Sequence, residues 1–140
     1  MTKRKRSLII LLLVLAIGLI GYFTWYNQPI EGNNIIPKGF LFAKYRSLTP
    51  GEGKEVNISP EDANKISTYL SNATYKRSNR SGFYDYKRLY RLVAINVSSD
   101  IFITIDNNCY FEIGNIFEDF KKYKISKTEA NKIFEILDKY

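Results

Sequence analysis

The stretch of chain best suited to binding a charged or aromatic partner is residues 75–91, YKRSNRSGFYDYKRLYR. It holds six basic side chains against one acidic side chain, with five aromatic rings interleaved among them. Arginine forks onto phosphate or carboxylate, whereas tyrosine packs on sugar rings or at a membrane interface. Both residue types are common anchors of binding surfaces. We therefore predict that the binding residues in this segment are Arg77, Arg80, Tyr84, Tyr86 and Arg88.

The alternative interpretation of this segment is a solvated loop followed by a strand with a basic outward face. Its first part is predicted to be a loop that links a helix to a strand, and it is long for a compact domain. Aromatic rings on a basic surface also suit the stacking of RNA bases. The location predicted below argues against a nucleic-acid partner.

Residues for enzymatic chemistry are scarce in this chain. It has no histidine and a single cysteine, Cys109, which excludes serine–histidine and cysteine–histidine nucleophiles and a structural zinc site. Asp106, Asn108 and Glu112 offer oxygen ligands, but they lack the spacing and the glycine of an EF-hand loop. The sequence predicts no catalytic residue, metal or cofactor. A small hydrolase that relies on two carboxylates is the enzyme hypothesis that remains open.

The elements that must position these residues begin with an apolar segment, residues 8–26. The segment carries no charge, and about 20 residues are needed to cross a bilayer core. Four of the 21 lysines and arginines precede it, at residues 3–6, and account for most of the net charge of +7. The positive-inside rule then places residues 1–7 in the cytoplasm. Trp25 and Tyr26 stand where an aromatic belt would meet the outer headgroups.

A cleaved signal peptide shares the basic start and the apolar run, and it is the alternative to an uncleaved anchor. The run ends in bulky residues, GYFTWY, which favours the anchor. Residues 27–37, NQPIEGNNIIP, are predicted to be a coiled tether because proline, glycine and asparagine resist regular structure. The tether would hold residues 38–140 close to the membrane, outside the cytoplasm.

Residues 38–140 are predicted to contain two amphipathic helices with similar starts. Ser59 and Ser126 suit the N-cap, and Glu129 completes a capping box with Ser126. Apolar residues follow at helical spacing, for example Ile66 and Ile133. Each helix therefore has one face to bury.

Alternating apolar segments between the helices predict strands. They are residues 39–46, 89–97, 101–106, 109–113 and a short one at 122–125. We expect Ile101, Ile103 and Ile105 in the core and a tight hairpin turn at Asn107 and Asn108. The fold class is α+β, a small two-layer domain after a transmembrane helix. It has an antiparallel meander of four to five strands and two helices on one face, in the order β-α-β-β-β-(β)-α.

These features predict a membrane-anchored, non-catalytic interaction module in a bacterial cell envelope, spanning the cytoplasmic membrane once. Its partner would be an envelope protein, an anionic lipid or a wall polymer. An immunity or inhibitor protein that guards the membrane against a secreted toxin is the alternative from another class.

Overall fold

A computed structural model describes residues 3–36, 39–48, 51, 53, 55–79, 87–94, 101–115 and 120–140. The helices are α1 (Lys3–Asn27), α2 (Pro60–Asn72) and α3 (Lys127–Leu137), with a 3₁₀ helix at Gly32–Asn34. The strands are β1 (Ile30–Glu31), β2 (Phe42–Ser47), β3 (Glu55–Asn57), β4 (Thr74–Arg77), β5 (Leu89–Ala94), β6 (Ile101–Asp106), β7 (Tyr110–Asn115) and β8 (Lys121–Ile125).

The eight strands form one antiparallel sheet in the order β1-β4-β8-β7-β6-β5-β2-β3. The predicted meander is present as β5-β6-β7-β8, in which each strand pairs with the next along the chain. The α+β class is confirmed. The sheet has eight strands instead of the predicted four to five. The strands β1 and β4 pair with strands that are distant in sequence, and β3 pairs with β2, the strand before it.

Both helices of the domain pack on the same face of the sheet. The register places Tyr75, Ile125, Phe111 and Ile105 on this face, and all four are buried. The hydroxyl of Tyr75 donates to the backbone oxygen of Leu70 in α2 at 2.8 Å. The buried residues of α2, α3 and the sheet form one hydrophobic core. Of the predicted core isoleucines, Ile103 and Ile105 are fully buried, and Ile101 packs against the same cluster.

The helix starts agree with the sequence prediction. The hydroxyl of Ser59 accepts from the backbone N–H of Asp62 at 3.2 Å, with Pro60 in the first turn of α2. At α3 the hydroxyl of Ser126 accepts from the Glu129 N–H, and the Glu129 carboxylate accepts from the Ser126 N–H. The predicted capping box is therefore confirmed.

The segment 27–37 differs from the predicted coil. Within its described part, β1 pairs with β4 and the 3₁₀ helix follows directly. The backbone N–H of Gly32 donates to the Ala73 oxygen at 2.8 Å, and a Cβ on Gly32 would lie 2.5 Å from the Ser71 oxygen. Ile36 is buried in the core. Close backbone contact that only glycine permits thus fixes this segment to the end of α2.

The hairpin between β6 and β7 also differs in detail from its prediction. The left-handed residue is Cys109, with φ 65°, and not an asparagine. The buried carboxylate of Asp106 accepts from the backbone N–H groups of Asn108 and Tyr110, at 3.0 and 2.9 Å. These bonds satisfy two donors in the turn, and they hold Cys109 in the strained conformation.

The sheet has one end that adjoins α1, which we call the anchor end. Arg77, the last residue of β4, contacts α1, and the antiparallel register aligns five other strand termini with it. They are the starts of β8, β6 and β2 and the ends of β7 and β5. The start of β5, the β6–β7 hairpin and the start of α3 lie at the opposite end, which we call the far end.

Candidate interaction surface

Helix α1 is long and apolar enough to span a membrane, and none of its residues is buried against the rest of the chain. Its apolar side chains therefore have no protein core to occupy. Tyr22, Trp25 and Tyr26 cluster at its last turns, with ring centroids about 6 Å apart. An aromatic group at the end of an apolar helix suits the boundary between hydrocarbon and headgroups.

Arg77 joins the domain to this helix. A guanidinium N–H donates to the backbone oxygen of Trp25 at 2.8 Å, and its carbon lies 4.1 Å from the centre of the indole ring. The first contact adds a second donor to a carbonyl in the last turn of α1, which also accepts from the Gln28 N–H at 3.3 Å. The second contact is a cation–π interaction. Together they place the end of β4 against the last turn of α1.

Arg88 lies just before β5, where it contacts α3. Its guanidinium is 2.9 Å from the Asp138 carboxylate and 5.7 Å from the centre of the Phe134 ring. The hydroxyl of Tyr90 donates to the same carboxylate at 3.1 Å. Burial, and next the Asp138 charge, raise the pKa of Tyr90 to about 12.

The structure does not bring the predicted binding residues together. Arg77 is at the anchor end and Arg88 is at the far end, and three strands separate β4 from β5. At about 4.8 Å per strand, this alone places them roughly 19 Å apart. Arg80, Tyr84 and Tyr86 lie outside the described residues. The prediction that these five residues bind a partner stays a prediction, whereas the contacts of Arg77 and Arg88 are within the chain.

Part of the segment predicted to be a loop is in fact strand β4. Tyr75 faces the core, so Lys76 must face the opposite side of the sheet, where it is exposed. On the neighbouring strand Lys122 and Lys124 face the same way. We call Lys76, Lys122 and Lys124 the lysine face. The order Lys122, Tyr123, Lys124 in the sequence indicates that the two lysines share one face of a strand. Lys76 could not be grouped with them without the pairing of β4 with β8.

The lysine face has a net positive charge. Lys76 and Lys124 stand directly opposite each other in the register, an arrangement that costs stability because like charges repel. Lys122 lies 3.9 Å from Glu112, and the Lys124 ammonium lies 5.3 Å from the Tyr110 ring centre. Among the described residues neither Lys76 nor Lys124 has a carboxylate within ion-pairing distance.

A cleft of about 630 Å³ adjoins Lys76 and Lys124, where the outward side of β4 and β8 meets the start of α3. It is lined by Thr74, Lys76, Lys124, Ile125, Ser126, Thr128 and Glu129. The Glu129 carboxylate is occupied by the capping box and by the backbone N–H of Thr74, at 3.0 Å. Two ammonium groups beside a partly apolar cleft suit an acidic group that is carried on an apolar chain.

Several of the described acidic side chains make contacts that stabilise the fold. Asp106 organises a turn, Glu129 caps α3, and Asp138 pairs with Arg88. The Tyr140 hydroxyl donates a hydrogen bond of 3.0 Å to the Asp62 carboxylate, and this bond is the main reason why the pKa of Asp62 is lowered. Burial raises the pKa of the Cys109 thiol, which makes it a poorer nucleophile. Within the described residues no three histidine, cysteine or acidic side chains are grouped to hold a metal ion.

No match was found among known proteins. Neither the protein-family models, the curated proteins nor the solved structures contain one for this chain.

Proposed function

We propose that this chain is a non-catalytic interaction module, anchored in a bacterial cytoplasmic membrane by α1 with its domain outside. The observation that carries the proposal is the contact of Arg77 with Trp25, because it fixes a folded domain to the end of an apolar helix that has no other burial. The four basic residues before the apolar run support the inward N-terminus. The structural contacts of Asp106, Glu129 and Asp138 favour binding over catalysis.

The binding surface in this proposal is the lysine face with its adjoining cleft. The partner is an acidic segment of another envelope protein. Its carboxylates relieve the repulsion between Lys76 and Lys124, while apolar side chains fill the cleft. Arg77 and Arg88 are less suitable contacts than the sequence indicated, because their guanidinium groups already have partners within the chain.

Crosslinking in cells that produce the full chain, followed by mass spectrometry, tests this proposal. The test variant carries Lys76→Glu and Lys124→Glu. The matched control carries Lys132→Glu and Lys139→Glu, an equal change of charge on the helical side. Two exposed charge pairs are worth roughly 1–2 kcal/mol together, so the yield of the crosslinked partner should fall about ten-fold in the test variant only.

Equal recovery of the same partner proteins from both variants would contradict the assignment of the lysine face. Recovery of lipid or wall polymer in place of protein would contradict the partner class. An enzymatic product that depends on a single carboxylate of a folded chain would contradict the non-catalytic role itself.

A further inference from the structure

The anchor end of the sheet exposes apolar side chains at the place where the chain leaves α1. Outside α1, the large hydrophobic residues exposed in the described part of the chain are Leu41 at 42 %, Phe120 at 39 % and Tyr140 at 42 %. The hydroxyl of Tyr140 is hydrogen-bonded to Ser59 and Asp62, so this side chain has partners within the domain. Leu41 and Phe120 directly precede β2 and β8, at the anchor end.

Lysines accompany Phe120. Lys121 is exposed and Lys122 is half-buried, and both directly follow Phe120 in the chain. The Lys122 backbone oxygen accepts from the Ser78 N–H at 3.1 Å, one residue beyond the Arg77–Trp25 contact. Exposed apolar side chains beside lysines are typical of surfaces that lie at the boundary of an anionic membrane.

The position of Phe120 is supported by the neighbouring strand. Gly114 in β7 has no side chain, and a Cβ there would lie 2.8 Å from the Phe120 ring. The ring thus lies over Gly114 on the outward side of the sheet while it remains partly exposed. No other part of the described domain covers the exposed portion of this ring, although the ring is held in place.

We propose that the anchor end of the sheet rests on the anionic headgroup layer of the membrane that α1 spans. Phe120 and Leu41 enter the interface, and Lys121 contacts lipid phosphates. This inference rests on the proposed function only in requiring that α1 crosses the membrane. Trp25 then marks the headgroup level, and Arg77 holds the end of β4 at that level. β8 pairs with β4 through Tyr123 and Arg77, so the start of β8 at Lys121 is two residues further along and lies roughly 8 Å from the end of β4.

The contact would set how the domain stands on the membrane. Leu41 and Phe120 flank the anchor end across the strands from β8 to β2, four strand spacings or roughly 19 Å. Together with α1 they support the sheet at separate points, so the domain cannot pivot freely about the end of the helix. The lysine face remains accessible on the side of the sheet.

Photo-crosslinking of the full chain in lipid nanodiscs tests the contact. One of three residues is replaced by p-benzoylphenylalanine: Phe120 at the anchor end, Asn108 in the exposed hairpin at the far end or Phe23 in α1. In phosphatidylglycerol nanodiscs we expect at least five-fold more lipid adduct at 120 than at 108. The effect of one lysine near an anionic surface predicts an about five-fold lower adduct yield at 120 in the Lys121→Glu variant, and Lys132→Glu is the matched control.

Each outcome of this experiment bears on the proposal. In phosphatidylcholine nanodiscs the effect of Lys121→Glu should vanish; if it persists, the lysine does not act on anionic lipid. An adduct yield at 120 no greater than at 108, with Phe23 labelled and the domain still folded by circular dichroism, would overturn the surface contact and leave the anchor intact. Absence of lipid adduct at Phe23 would overturn the proposed anchor as well.

Discussion

Arg77 shows how one side chain can have a role different from the one that its surroundings in sequence indicate. It lies in the most basic segment of the chain, yet its guanidinium contacts the backbone oxygen and the ring of Trp25. A lysine could keep the charge but not the flat stacking over the indole ring. The exchange of arginine for lysine therefore separates charge from shape at this contact.

We expect Arg77→Ala to loosen the domain from α1 by about 1–2 kcal/mol, because a cation–π interaction and a charged hydrogen bond are lost. Trp25 is the only tryptophan in the sequence, so its fluorescence reports the contact directly. Quenching by iodide should increase and anisotropy should fall in Arg77→Ala, with an intermediate effect in Arg77→Lys. Arg88→Ala, at the far end of the sheet, is the control and should leave the Trp25 signal unchanged. An equal change in both variants would mean that Trp25 reports general unfolding and not this contact.

At the scale of elements, local signals were sufficient for some parts and not for others. The helix starts were predictable because a cap depends on residues within one turn of each other, as at Ser126 and Glu129. The strands β5, β6, β7 and β8 were predictable because their apolar residues alternate and short turns join them. In contrast, β1, β3 and β4 have only two to four residues. The strands β1 and β4 form because a distant strand offers hydrogen bonds, and β3 forms against β2, the strand before it.

The candidate site was less predictable than the fold for the same reason. Lys76 and Lys124 are separated by almost 50 residues of sequence, yet they are direct neighbours in the sheet. A search for dense basic segments finds residues 75–91 but misses a surface that two paired strands build together. The contact of Arg77 with Trp25 is equally non-local, and the sequence around neither residue predicts it.

Glu129 connects the start of α3 to the start of β4, so a substitution there tests the helix cap and this connection together. Its carboxylate accepts from Ser126 at the start of α3 and from the Thr74 N–H at the start of β4. We expect Glu129→Ala to lower the free energy of unfolding by about 1–2 kcal/mol, since a cap of this kind is worth that much. Chemical denaturation of the full chain in detergent, followed by circular dichroism, measures the change.

The control for Glu129 is Glu135→Ala, an exposed acid on the same helix that takes no part in the cap. It should leave stability unchanged or raise it slightly, because a negative charge near a helix C-terminus is unfavourable. If the two variants were equally stable, the capping box would contribute nothing measurable to this domain.

At the scale of the whole molecule, the contact between α1 and β4 holds the domain at the Trp25 end of α1. The domain follows the apolar helix with only Gln28 and Pro29 between α1 and β1, and Arg77 returns to the last turn of that helix. In the proposed membrane-spanning arrangement, the side that receives Trp25 therefore also receives the sheet. The basic residues 3–6 at the opposite end of α1 predict that this side is outside.

This orientation predicts the behaviour of reporters fused after Tyr140 through a flexible Gly-Ser linker. Alkaline phosphatase, which needs an oxidising compartment for its disulfides, should be active, and a fluorescent protein that matures only in the cytoplasm should be dark. Tyr140 bonds to Ser59 and Asp62 through its side chain, so the linker leaves these contacts in place. Replacement of Lys3, Arg4, Lys5 and Arg6 by glutamine removes the charge difference across α1 and should lower phosphatase activity at equal protein level. An inactive phosphatase paired with a bright fluorescent fusion of the unaltered chain would place the domain in the cytoplasm, and the envelope partner would then be wrong together with the orientation.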